Sequence, residues 1–314
     1  MKTEIYCGTY TSHGSEGLYA CTYEDGKVTD ARLFSAMKNP KYVTTIHGEV
    51  AALGDFPNGS GVALISQEGD FLDAISYEDR TSCYIAAHGS ALYTANYHAG
   101  TVSYLDVINN RMKLLETIHI QDGAGAHQVL FWKDQILVPC LFLDRVMIYD
   151  DMLNSQGSIR FDVGTGPRHG VFNKDGSYLY LVSELSNELF VIHAGDWKIE
   201  YRMSVLPNGE THVRDTAAIR LSDDEKTLYV STRTKDVLSV ISLDENHQPS
   251  LKQAVVTGKH PRDFILVDNH LLCACRYSSC VICYELNADG TIGAETSRVE
   301  VPEVVSLAAG NPHE

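Results

Sequence analysis

No run of about 18 apolar residues occurs in this chain, so no segment is suited to crossing a bilayer as a helix. The opening MKTEIYCGTYT has neither an apolar h-region nor a small-residue cleavage site and passes directly into a strand-like pattern, so a cytoplasmic location is expected. Basic residues are scarce: 25 Lys and Arg stand against 41 Asp and Glu, a formal net charge of −16. That sign excludes nucleic acid as the expected partner. It also makes any gathering of Arg and Lys informative, because the overall field opposes it. Cys280 and Cys283 have CxxC spacing, but no second such pair completes a zinc ribbon, and Cys273 and Cys275 are the only nearby companions. In a strand, positions i and i+3 point to opposite faces. The eight cysteines (Cys7, Cys21, Cys83, Cys140, Cys273, Cys275, Cys280 and Cys283) are therefore read as buried thiols in a reducing compartment. No carboxylate cluster suited to a metal is visible, so neither metal nor cofactor is expected.

Against these absences stands one strong positive feature, a segment that recurs seven times. The copies are YCGTYTSHGSEGLYACTY from Tyr6, VAALGDFPNGSGVALIS from Val50, LYTANYHAGTVSYLDV from Leu92, ILVPCLFLDRVMIYD from Ile136, LYLVSELSNELFVIH from Leu179, LYVSTRTKDVLSVIS from Leu228 and LLCACRYSSCVICYE from Leu271. Each is a β-rich run, a short polar break and a second β-rich run. Successive copies start 44, 42, 44, 43, 49 and 43 residues apart. A four-stranded propeller blade takes about 40–50 residues. The expected fold is all-β, a seven-bladed β-propeller, with residues 1–314 forming one domain because the blades tile the chain and leave no linker.

A further short apolar run precedes the later copies: PKYVTTI from Pro40, CYIAAHG from Cys83, HQVLFWK from His127, PRHGVF from Pro167, AAIRLS from Ala217 and PRDFILV from Pro261. These are read as the innermost strand of each blade. The first copy has none. PEVVSLAAG, from Pro302, has the same shape, so residues 302–309 are expected to complete the first blade. An unclosed ring would leave two exposed strand edges, and pairing the termini removes them.

Equivalent positions in the copies occupy equivalent places around the axis. One slot, at the start of the inner strand, holds Lys41, Cys83, His127, Arg168, Ala217 and Arg262, with Glu303 near the C-terminal strand. A second slot, five residues into the next strand, holds Thr11, Asp55, Tyr97, Leu141, Glu184, Arg233 and Arg276. Charges beside packed strands are costly unless they are paired or used. Two explanations stay open: a structural ion-pair ring, such as Glu184 with Arg168 and Arg233, or a ligand site. Converging guanidiniums suit carboxylate or phosphate, and a His beside a Glu can move a proton. His169 follows Arg168 and is expected on the opposite face of its strand. Asn96 is expected to shape a turn, and His98 lies in the same break.

At these residues the sequence resembles the lactonase family of seven-bladed propellers over nearly its whole length. The most specific stretch is GTGPRHGVFNKDGSYLYLVSELSNELFVI, supported by AHQVLF, LDRVMIY, RDTAAIRLSDDEKTLYVSTR and GKHPRDFILV. That family includes 6-phosphogluconolactonases and 3-carboxy-cis,cis-muconate lactonizing enzymes. By motif, the resemblance implies a catalytic set of His127 in AHQV, Arg168 in GPRH, Glu184 in SEL and Arg233 in STR. The second copy departs from the family pattern, and nothing is carried over from it.

The expectation is hydrolysis of a sugar lactone, foremost 6-phosphogluconolactone. Its small anionic substrate would be held by Arg262 and Arg276, with Tyr97, Lys41 and His169 as further binding candidates, and water would be activated by His127 or Glu184. Cyclisation of a carboxylated muconate is the alternative chemistry, and a non-catalytic interaction scaffold is the alternative of another class.

Overall fold

The inner and middle segments of each copy alternate or run continuously apolar, as strands buried on both faces must. In the computed structural model, which describes residues 2–313, they pair into seven four-stranded antiparallel sheets. The protein is a seven-bladed β-propeller. The fifth blade, for example, runs Pro167–Phe172, Tyr178–Ser183, Glu188–His193 and Lys198–Ser204 from axis to rim. Six blades follow chain order. The first is composite: Val304–His313 is its inner strand and pairs antiparallel with Lys2–Thr9, before Gly17–Glu24 and Lys27–Ala36. The closure expected over 302–309 is therefore present, and it reaches four residues further along the chain. Among the described residues the only helix is two short 3-10 turns, Leu141–Leu143 and Arg276–Ser278, and none is long and apolar enough to cross a membrane.

The core lies between blades. At the seam between the last blade and the first, Ile5, Cys7, Cys21 and Tyr23 pack on Leu272, Ala274, Val281 and Cys283. All eight cysteines are buried and unbridged. Cys7 and Cys21 face each other with Sγ atoms 3.9 Å apart, while Cys280 and Cys283 diverge: Cys280 pairs across its ladder with Cys275, and the Cys283 thiol turns to the Gly26 carbonyl. Rim strands such as Lys27–Ala36 are largely exposed. Inner strands of neighbouring blades lie against one another around the axis, so residues at their starts converge there.

Candidate active site

A repeated backbone device builds the site. In five blades the residue just past the second strand donates its N–H to a carbonyl two positions before the first-slot residue. The bonds are Glu184 to Gly166 (2.8 Å), Arg233 to Asp215 (3.1 Å), Arg276 to His260 (3.1 Å), Leu141 to Gly125 (3.1 Å) and Tyr10 to Glu303 (3.2 Å). The carbonyl residue is left-handed at Gly125, Gly166, His260 and Glu303, and Asn39, two before Lys41, has the same conformation. At Gly166 (φ 65°) a Cβ would also collide with Leu185, which accounts for the glycine of the GPRH motif. The inner strand then bulges. Its register against the second strand skips one residue between Pro167 and His169 and between Pro261 and Asp263, so Arg168 and Arg262 are the extra residues and are re-aimed toward the axis.

These devices bring Glu184 between two guanidiniums. Its Oε2 accepts from Arg168 Nε at 2.7 Å and its Oε1 lies 2.9 Å from Arg233 Nη2. Arg233 also pairs with Asp215. Arg168 is 1% exposed, and its Nη1 donates to the Ala217 carbonyl. Burial pulls the Arg168 guanidinium down to about 10, helped by Arg233 and Arg262 and opposed by Glu184. The ion-pair arrangement foreseen as one of two explanations is thus present.

The opposite wall differs. Arg262 donates from Nη1 to the Tyr10 hydroxyl at 2.6 Å, and Arg276 stacks 4.2 Å over the Tyr10 ring. Among the described residues neither arginine nor Lys41 forms an ion pair. Burial raises the Tyr10 phenol, but Arg262, Lys41 and Arg276 outweigh it, and the net shift is downward. Between the two walls lies a cavity of about 170 Å³ lined by Tyr10, Lys41, Cys83, Tyr97, His98, His127, Glu184, Arg233 and Arg262. It shares Lys41 and His98 with an outer cleft of about 420 Å³ that adds Lys38, Asp55, Asp79 and Arg80.

His127 is 5% exposed, and its Nδ1 is 3.2 Å from Nε2 of His169. Tyr42, Tyr84, His169 and His127 form a chain of ring contacts beneath the cavity, with centroids 4.6, 5.6 and 5.0 Å apart. Burial, and then Arg168, hold both imidazoles well below the usual histidine range, so both are neutral near pH 7.

A family profile described as "Lactonase, 7-bladed beta-propeller" matches residues 4–309. The chain belongs to this lactonase family. A 6-phosphogluconolactonase of Bacillus subtilis is 25% identical, with 96% of this chain and 97% of the relative covered. An uncharacterized protein of Staphylococcus epidermidis is 31% identical over 86% of this chain and 88% of its own. The crystal structure of a protein from Lactobacillus plantarum superposes with a TM-score of 0.93 at 26% identity, over 99% of this chain and 100% of the other.

In this lactonase propeller the sequence-derived candidates divide by position. His127, Glu184, Arg233, Arg262, Tyr97 and Lys41 line the cavity. Arg168 and Arg276 stand one layer back, behind Glu184 and Tyr10. His169 lies opposite Arg168, as expected: Arg168 reaches the Ala217 carbonyl of the next blade, and His169 meets His127 of the preceding one. As a binding candidate it is displaced: its ring packs on His127 and Tyr84 and does not line the cavity. Glu303 is not in the site. It accepts from Ser12 Oγ and His13 N, both at 2.6 Å, and ties down the first blade's loop, while Val305 takes the bulge position.

Tyr10 and His98 are wall residues that the sequence did not mark as site candidates. Counted from Tyr6, the first copy starts one residue late and puts Thr11 in its slot. The backbone bond to Glu303 shows that Tyr10 is the equivalent of Glu184 and Arg233, while Thr11 bonds Asn39. The matching Asn96-Tyr97 of the third copy carried the signal. Asn96 does shape its turn, accepting from the N–H groups of His98 and Ala99, and this carries His98 to the cavity wall.

Proposed function

We propose that this lactonase propeller hydrolyses a phosphorylated sugar lactone, 6-phosphogluconolactone, in the axial cavity. The observation that carries this reading is the division of the walls. Glu184, Arg168, Arg233 and Asp215 satisfy one another, while Lys41, Arg262 and Arg276 gather around Tyr10 with no carboxylate of their own. Uncompensated cations beside a small cavity, in a chain of net charge −16, call for an anionic ligand. The name of the Bacillus subtilis relative supports the same substrate.

The cavity, about 170 Å³, is below the range of roughly 300–1,000 Å³ usual for small-molecule sites. A lactone ring placed there would extend its phosphate-bearing arm into the outer cleft, toward Lys38, Lys41 and Arg80. Asp55 on that wall is already engaged by Asn39, Ser60 and Thr81. Arg233 and Arg262 are placed to hold the carbonyl oxygen as charge develops on it, the role in which fixed donors contribute most. Arg168 acts through Glu184, whose carboxylate it orients.

The test is direct. Purified protein should remove 6-phosphogluconolactone faster than its spontaneous hydrolysis. Replacing both Lys38 and Arg80 by Ala should raise KM for the phosphorylated lactone by about tenfold, the effect of roughly 1.4 kcal/mol of lost binding. The unphosphorylated lactone should change far less. No acceleration of any lactone, with conversion of 3-carboxymuconate instead, would reassign the chemistry. Inactivity on both would favour the scaffold reading.

A further inference from the structure

We propose that His169 is a positioning residue that holds His127 in its Nε2–H tautomer, so that His127 acts as a hydrogen-bond donor to the lactone carbonyl and Glu184 takes the proton of the attacking water. The catalytic half of this proposal rests on the lactonase reading above; the tautomer does not.

The argument starts from the shared proton. His127 Nδ1 and His169 Nε2 are 3.2 Å apart, and both rings are buried. With both rings neutral, one nitrogen of the pair donates and the other accepts. If His127 donated, the proton of His169 would sit on its Nδ1. That atom is buried and has no hydrogen-bond partner among the described residues. An N–H there would be an orphaned donor in a field set by Arg168, Arg220 and Arg262. If His169 donates instead, the same Nδ1 is a bare lone pair among cations. Orphaned buried donors are rarer than orphaned acceptors, and positive charge favours the lone pair. The second arrangement therefore wins.

The consequence reaches the cavity. His127 uses Nδ1 as the acceptor, so its proton is on Nε2, and its ring forms part of the cavity wall. A nitrogen that already carries a proton cannot take one from water. A neutral imidazole N–H can polarise a carbonyl, a role known for depressed histidines. The base is then Glu184. Its Oε2 accepts from Arg168 Nε and its Oε1 forms an ion pair with Arg233, so each oxygen keeps a lone pair free for water. Water oxygen adds to the carbonyl carbon and its proton passes to Glu184. The oxyanion is held by His127 Nε2–H with Arg233 and Arg262. Collapse breaks the bond to the ring oxygen, which leaves as a hydroxyl carrying the proton from Glu184. The sum is lactone plus water to hydroxy acid.

The test reads the tautomer without substrate. Long-range 15N–1H correlation spectra of histidine-labelled protein near neutral pH should show His127 protonated at Nε2 and bare at Nδ1. His169→Phe removes the donor and should give a mixture of tautomers. It should lower kcat toward the roughly 10²-fold loss typical of a removed oxyanion donor, with KM little changed. His169→Gln, whose amide can donate to Nδ1, should restore both. A bare Nε2 on His127 in the unmodified protein overturns the proposal, as does a Phe variant with unchanged tautomer and kcat. Should the Phe variant fail to fold, the spectra of the unmodified protein and the Gln variant decide. The expected tautomer in a protein that turns over no lactone would retire the lactonase reading and the catalytic half of this proposal, and leave the histidine pair standing.

Discussion

Replacing Arg168 by Met, Glu184 by Leu, and then both, separates what the ion-pair hub does for the fold from what it does for chemistry. Arg168 is 1% exposed and Glu184 15%, so each single change strands a charge with little water to take it up. Breaking a buried pair in this way costs about 3–5 kcal/mol. The lower end applies to Arg168→Met, because Glu184 keeps Arg233. The upper end applies to Glu184→Leu, because Arg168 is left facing Arg233 and Arg262. At about 2 cal/mol/K of unfolding entropy per residue over 314 residues, the melting point falls by about 5–8 °C. The double variant strands nothing. It loses only the bond to the Ala217 carbonyl and one of two acid partners of Arg233. Its stability should return to within about 2 kcal/mol of the parent, a coupling of at least that size. Turnover should not return with it: without Glu184, rates stay about 10²–10⁴-fold down. Guanidinium melts and lactone assays on the four proteins measure both quantities. Additive destabilisation would refute the ion-pair argument, and a double variant with parental turnover would remove Glu184 from the chemistry.

Three further outcomes follow from the same structure. Deleting residues 304–314 removes Val304, Val305 and Leu307, all buried, and uncovers Ile5 and Cys7; at about 1.5–3 kcal/mol per large side chain the loss approaches the whole stability of a domain, so circular dichroism should show no cooperative melt, and a native melting point would refute the closure argument. His127 and His169 have folded-state pKa values below their unfolded ones; stability is therefore full above about pH 6.5 and falls as pH drops below it, by up to about 1.4 kcal/mol per pH unit for each histidine. His169→Gln should halve that part of the acid slope in denaturant titrations, and an unchanged slope counts against buried neutral imidazoles. Arg262→Met should lower kcat for a lactone by about 10²-fold with KM little changed, as expected for a removed oxyanion donor, and steady-state kinetics with an unchanged kcat would take the oxyanion away from that wall.

The fold was legible because a repeat is a one-dimensional signal. The spacing of Leu92, Ile136, Leu179, Leu228 and Leu271 states the blade length, and the unpaired first copy states that the C-terminal strand must return to it. Much of the site was legible for the same reason: His127, Glu184, Arg233 and Arg262 break a pattern that the other copies keep. Tyr10 escaped because its copy lacks the leucine that marks the register, and a shift of one residue in a strand changes which side chain meets the axis. The contact of His169 with His127 was not legible, because it joins inner strands of two blades whose separation exists only in the closed ring.

The sequence by itself determined the seven blades, the closure of the ring and the gathering of charge at its centre, because these depend on periodicity and composition. Only the tertiary structure decided which charges are spent on one another and which have no carboxylate partner. Arg168, Arg233, Arg262 and Arg276 are alike in the sequence. Carboxylates from Glu184 and Asp215 reach the first two, while a phenol from the opposite end of the chain meets the others. Coulombic pairing falls off with distances that exist only once the blades have closed.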